Sequence, residues 1–79
     1  MAVDHPAMTI RHRLAENLIR IRRDRSLSQA DLAHQSGLAE TLIAQIERSD
    51  YDTDVDMLEQ LADALGVDIY VLLAPYAPE

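Results

Sequence analysis

The chain has no cysteine, no tryptophan, no phenylalanine and no lysine, and only two glycines and three prolines among its 79 residues. Each shortage excludes something. Without cysteine there is no disulfide framework, no thiolate nucleophile and no cysteine-ligated zinc or iron–sulfur centre. The longest apolar runs, such as Val71-Leu72-Leu73-Ala74, fall far short of the ~20 residues that span a bilayer. The amino terminus lacks the basic-then-apolar plan of a secretory signal. A soluble cytoplasmic domain with no membrane partner is therefore expected. Its length allows one thin core, burying about 60–65% of the surface exposed by the unfolded chain. Apolar residues make up 48% of the sequence, too many for wholesale disorder.

Charge is unevenly placed. Six of the seven arginines (Arg11, Arg13, Arg20, Arg22, Arg23 and Arg25) lie within residues 11–25. Residues 1–37 carry a net +2 and residues 38–79 a net −9, which together give the overall −7. A basic stripe on an acidic chain leaves two kinds of partner open, a polyanion or a basic protein.

Residues 1–8 show no periodicity and read as a flexible leader. From Thr9 onward Ile10, Leu14, Leu18 and Ile21 recur at helical steps, with the arginines on the other faces. Ser26-Leu27 breaks the pattern. Ser28-Gln-Ala-Asp31 then has the form of a helix start, in which the hydroxyl accepts from a first-turn amide and the carboxylate suits the positive helix end. Gly37 supplies a left-handed stop. A third helix runs through Ile43 and Ile46 to Arg48-Ser49, and a polar loop follows to Thr53. Thr53 or Asp54 caps a fourth helix bearing Met57, Leu58, Leu61, Ala62 and Leu65, which Gly66 closes. Asp68 caps a short fifth helix in which Ile69, Leu72 and Leu73 close the core. The expected fold is all-α, a compact five-helix bundle over residues 9–74, with 75–79 as a C-terminal tail.

The second and third helices are the most informative. Counting from Gln29, Leu32 is fourth, Ala33 fifth, Gly37 ninth, Ile43 fifteenth and Ile46 eighteenth. Two helices crossing at about 90–120° through a short turn need a small residue where their axes approach, a role for Ala33. The turn needs positive φ, a role for Gly37. Ile43 and Ile46 anchor one face of the following helix so that the other projects outward. This is helix-turn-helix spacing.

The string Arg22-x4-Leu27-Ser28-Gln29-x2-Leu32-Ala33-x3-Gly37-Leu38, with Ile43-x2-Ile46-Glu47 and Leu58-x2-Leu61-Ala62-x2-Leu65-Gly66-Val67, resembles the Cro/C1-type (XRE family) helix-turn-helix domains of phage repressors and bacterial regulators. The likeness covers roughly residues 11–74. It implies a lambda-repressor-like bundle that sets its third helix in the DNA major groove, usually as a homodimer on a pseudo-palindromic operator. Position by position, it assigns phosphate contact to Ser28 and Gln29; separately, Arg11, Arg13, Arg20, Arg23 and Arg25 are candidates either for DNA-backbone contact, Arg23 foremost, or for a solvated helix face. Base-reading places fall on Ala39, Glu40, Thr41, Leu42, Ala44 and Gln45. Of these, Glu40 suits a cytosine amino group, Thr41 a thymine methyl and Gln45 an adenine, whereas Leu42 and Ala44 offer only apolar contact. The resemblance also implies a structural ion pair between Arg22 and Glu47. Two departures stand out: Ser49 replaces the family's usual glycine, and Asp50, Asp52 and Asp54 occupy a loop that usually meets phosphate. Three acids there are expected to repel DNA.

No enzyme, cofactor or metal site is expected. His5, His12 and His34 form no i,i+3 or i,i+4 ligand pair. The alternating acids Asp50, Asp52, Asp54 and Asp56 lack the central glycine and terminal glutamate of a calcium loop. Tyr70, Val71 and Tyr76 are candidates for a homodimer interface, because tyrosine buries its ring while its hydroxyl stays satisfied. The leading expectation is a sequence-specific DNA-binding transcriptional regulator, acting as a repressor. The alternative is a protein-interaction module on the same fold, an antirepressor or accessory subunit whose acidic C-terminal half engages a protein partner.

Overall fold

The computed structural model describes residues 9–75. Among them are five helices and no strand: α1 (Ile10–Asp24), α2 (Gln29–Ser36), α3 (Glu40–Glu47), α4 (Val55–Leu65) and α5 (Ile69–Leu73). Tyr76, one of the three interface candidates, lies outside the described residues, as do the leader and most of the tail.

α1 starts where Thr9 Oγ1 accepts from the His12 amide. Its buried stripe of Leu14, Leu18 and Ile21 packs against α3 and α5. Ile10, expected on that stripe, is 55% exposed. It sits in the first turn, at the end of the helix, where among the described residues the α3–α4 loop lies alongside and forms a shallow groove with Tyr51. α2 begins with a complete capping box: Ser28 Oγ accepts from the Asp31 amide at 2.9 Å, and Asp31 Oδ2 accepts from the Ser28 amide at 2.9 Å. These bonds hold the Asp31 carboxyl below the ordinary carboxylate range, the backbone bond from Ser28 contributing most.

α2 ends at Gly37, whose φ of 78° places it in the left-handed region while its N–H donates to Ala33 O. A Cβ there would meet nothing closer than Gln60 Nε2 at 3.7 Å, so the backbone angle, rather than space, calls for glycine. On the α4 side, Gln60 Nε2 donates to Ser36 O and ties the turn down. α4 is capped by Asp54, not Thr53, with Oδ1 accepting from the Met57 amide at 2.8 Å. α5 differs from expectation at its start, where Asp68 holds the cap position without a side-chain bond. Leu72 is fully buried, and Ile69 and Leu73 are half-buried against the core.

The core draws on every helix: Leu14, Leu18 and Ile21 from α1, Leu32 from α2, Ile43 and Ile46 from α3, Leu58, Leu61 and Leu65 from α4, and Leu72 from α5. Each fully buried aliphatic side chain contributes about 1.5–3 kcal/mol relative to exposure. Ala33 packs against this cluster at the approach of α2 to α3. The outcome is a rigid seat for α3, fixed from below by Ile43 and Ile46.

Candidate nucleic-acid interface

With Ile43 and Ile46 turned inward, geometry dictates what α3 shows to solvent. Glu40, Thr41 and Gln45 are all exposed, on the helix face away from the core. Ala44 is half-buried between the two faces. Leu42 is not an outward apolar contact: it is half-buried and packs against the core cluster. Its position one residue before Ile43 turns it to the flank of the helix, where the core covers it. The face left to solvent is therefore more polar than the sequence alone indicates.

One carboxylate locks α3 to its neighbours. Glu47, in the last turn of α3, accepts from Arg22 Nε at 2.7 Å and from Arg22 Nη2 at 3.0 Å, the two-pronged geometry of guanidinium and carboxylate. Arg22 Nη1 donates to Leu27 O at 2.8 Å, in the link between α1 and α2. Gln29 Nε2, at the start of α2, donates to Glu47 Oε1 at 2.9 Å. Arg22 retains only 8% of its accessible surface. The hydrogen bond from Glu47 raises the Arg22 pKa above its ordinary value; burial works against that, and the attraction of the two charges adds to it. The Gln29–Glu47 bond is absent from any spacing rule, since it joins residues 18 apart on two helices.

Of the residues assigned to phosphate, Ser28 is exposed and its Oγ is engaged as the α2 cap, and Gln29 spends one amide hydrogen on Glu47. Arg23 is exposed near the end of α1. The ionised Asp31 carboxylate sits at the amino end of α2 and already complements the positive end of that helix.

The acidic loop between α3 and α4 is partly neutralised from within. Arg11 Nη2 lies 2.6 Å from Asp52 Oδ1, and Arg48 Nε lies 3.3 Å from Asp50 Oδ2. Both pairs are solvent-exposed. Asp54 is occupied as the α4 cap. Ser49, where the resembling domains usually carry glycine, adopts φ of 64°, and Ser26 between α1 and α2 adopts φ of 58°. Both serines hold left-handed backbone that favours glycine.

Among the described residues no group of three or more His, Cys, Asp or Glu is arranged to hold a metal ion. No helix among them is long and apolar enough to cross a membrane. On α5, Tyr70 is 65% and Val71 40% exposed, beside a shallow groove edged by Ile69, Leu73 and Ala74.

Two helices joined by a left-handed glycine, the second seated on Ile43 and Ile46 with a polar outer face, are the geometry of a helix-turn-helix. Residues 18–72 match the profile of the helix-turn-helix family. The chain belongs to that family. A curated relative, the Neisseria hypothetical transcription factor of Neisseria meningitidis serogroup B, is 39% identical over 62 residues, covering 78% of this chain and 58% of that protein. This chain thus spans little more than half the length of that relative. Among solved structures, the hypothetical transcription factor NHTF from Neisseria superposes with a TM-score of 0.84 at 35% identity, over 95% of this chain and 86% of that one. The restriction-modification controller protein C.Esp1396I, solved as a tetramer in complex with its natural 35 base-pair operator, superposes with a TM-score of 0.74 at 28% identity, over 80% of this chain and 83% of that one.

Proposed function

We propose that this helix-turn-helix chain is a DNA-binding transcriptional regulator of the cytoplasm, working on the nucleoid as a homodimer, with α3 in the major groove of a pseudo-palindromic operator. The observation that carries the reading is the polar face of Glu40, Thr41 and Gln45, held in fixed orientation by Ile43 and Ile46 below and by Glu47 at the end of the helix. A recognition helix has to be rigid, because base discrimination depends on hydrogen-bond geometry. Gln45 presents an amide suited to the two polar atoms of adenine, Glu40 an acceptor for cytosine, and Thr41 a methyl for thymine. Ser28, Gln29 and Arg23 hold phosphate around the start of α2: Gln29 through its second amide hydrogen and Arg23 through its exposed guanidinium. Tyr70 and Val71 pair the two copies, which fits the use of more than one protein chain on an operator by C.Esp1396I.

The test is selection of bound fragments from sheared DNA of the source genome, followed by binding measurements across salt. A regulator of this kind enriches a pseudo-palindrome with half-sites about one helical turn apart and loses affinity steeply as salt rises. Gln45→Ala then relaxes preference at one base pair in each half-site, at about 1–3 kcal/mol. A reporter driven from the recovered site falls in expression if the regulator represses.

The second reading, a protein-interaction module, draws on the net −9 of residues 38–79. Two observations weaken its motive. Leu42 packs on the core instead of facing outward, and two of the loop acids are already matched by arginines. Failure to enrich any sequence by a folded, helical protein would favour that reading over DNA.

A further inference from the structure

Asn17 is 2% exposed in the middle of α1, on the side that faces α5. Its Nδ2 spends both hydrogens on the chain's C-terminal segment, donating to Leu72 O and to Ala74 O at 2.8 Å each, while its Oδ1 accepts from Arg20 Nη2 at 2.9 Å. The amide orientation is thereby fixed from both ends. α5 needs such a fixture. It has five residues and no side-chain bond at its start, and a helix that short does not hold itself in water. Its last carbonyls are left without partners inside the helix. Leu72 sets the depth at which α5 sits, and the Asn17 amide, grasping carbonyls two residues apart, sets its rotation and end point.

Tyr70 and Val71 immediately precede Leu72, so the rotation of α5 decides where they point. We propose that Asn17 is the positioning residue of the surface through which two copies of this chain pair, a latch that presents Tyr70 and Val71 in one orientation. This rests on the pairing proposed above, and the experiment separates the two. Three variants are compared with the wild type by sedimentation and by amide hydrogen exchange. Asn17→Asp keeps the volume and the acceptor for Arg20 but removes both donors. Ile43→Val lowers stability at α3 without touching α5. Tyr70→Ala removes the paired face and leaves the latch.

In Asn17→Asp the dimer dissociation constant rises at least tenfold, and exchange at the Val71 and Ala74 amides, which donate to Asp68 O and Tyr70 O at the two ends of α5, accelerates at least tenfold. The helical content of α1 to α4 is kept. Ile43→Val dimerises as the wild type does, and Tyr70→Ala is monomeric with protected α5 amides. Equal loss of dimer in Ile43→Val would reduce the effect to general stability and overturn the proposal. Unchanged α5 exchange in Asn17→Asp overturns the latch alone, whereas a wild type that is monomeric at every concentration overturns the pairing and with it the purpose of the latch. If the new charge prevents folding, Asn17→Ala removes the same donors without it and is read by the same criteria.

Discussion

Removing the Glu47 carboxylate probes the interlock of α1, α2 and α3 directly. In Glu47→Ala the Arg22 guanidinium, with 10% of its side chain exposed, loses the acceptor of two hydrogen bonds and keeps, among the described residues, Leu27 O. Gln29 Nε2 loses Glu47 Oε1 as its acceptor as well. An uncompensated buried charge costs about 3–5 kcal/mol. A domain of this size has about 4–12 kcal/mol of total stability, so the variant is expected to lie near the edge of unfolding at room temperature. Glu47→Gln, which keeps an acceptor without the charge, is expected to fall between Ala and wild type. The decisive comparison is the double variant Arg22→Met with Glu47→Leu. Replacing both partners of a buried pair with apolar groups is often neutral or stabilising, so this variant should lie within about 1 kcal/mol of wild type. Urea denaturation with a double-mutant cycle measures all four states. A cost below about 1 kcal/mol for Glu47→Ala is the size of a solvated surface pair and would refute the interlock.

Three further outcomes follow from particular groups. Ser49→Gly relieves left-handed backbone at φ of 64°. That conformation costs a side-chain-bearing residue about 1–2 kcal/mol, of which glycine's extra freedom in the unfolded chain takes back about 0.5–1, so a gain of up to about 1.5 kcal/mol is expected in denaturant melts; a loss would show that the serine side chain contributes more than its backbone costs. Asp50→Asn with Asp52→Asn frees Arg48 and Arg11 and removes two negative charges. DNA binding should strengthen about equally for all sequences, with a steeper salt dependence, and no gain would place the loop away from phosphate. Asp31, whose pKa the folded state depresses, supports the α2 cap fully above the ordinary carboxylate value near 4 and loses that contribution as pH falls through its folded value. Asp31→Asn should therefore show a shallower fall of stability in acid, and identical pH profiles would exclude the carboxylate as the cap.

What was legible in the sequence was what depends on neighbours along the chain. The periodic stripe Leu14, Leu18 and Ile21, the capping box at Ser28, the glycine at position 37 and the seat of Ile43 and Ile46 are all local patterns, and each appears as read. Local patterns do not encode where an element runs past its support. Ile10 obeys the α1 period yet emerges at the end of the helix, whereas Leu42, four residues before Ile46, keeps the α3 period and is covered by the core. The contacts that fix the site are longer in range. Gln29 reaches Glu47 across 18 positions, and Asn17 reaches Leu72 and Ala74 across 55 and 57. An asparagine amid an apolar stripe, with no turn or cap to explain it, was the only available signal for the second of these.

The acidic character of residues 38–79 looks contrary to a DNA-binding role only while charges are counted instead of placed. Exposed ion pairs such as Arg11–Asp52 and Arg48–Asp50 contribute about 0–1 kcal/mol each, because water already screens both partners. An arginine so held exchanges its carboxylate for a phosphate at small cost, while the carboxylate keeps the free protein from presenting an unopposed cationic surface. Asp54 and Asp31 are spent on the amino ends of α4 and α2, where they stabilise the fold locally. These acids thus have local partners within the fold, and in the proposed complex their net effect is to lower the sequence-independent part of the affinity. On the proposed reading, discrimination then falls more heavily on Glu40, Thr41 and Gln45. A regulator built this way should bind non-specific DNA weakly while keeping its preference for one site, so neutralising Asp50 and Asp52 should raise specific and non-specific affinity together and leave their ratio unchanged. A ratio that falls or rises would show that these acids act on selectivity and not on the sequence-independent contact alone.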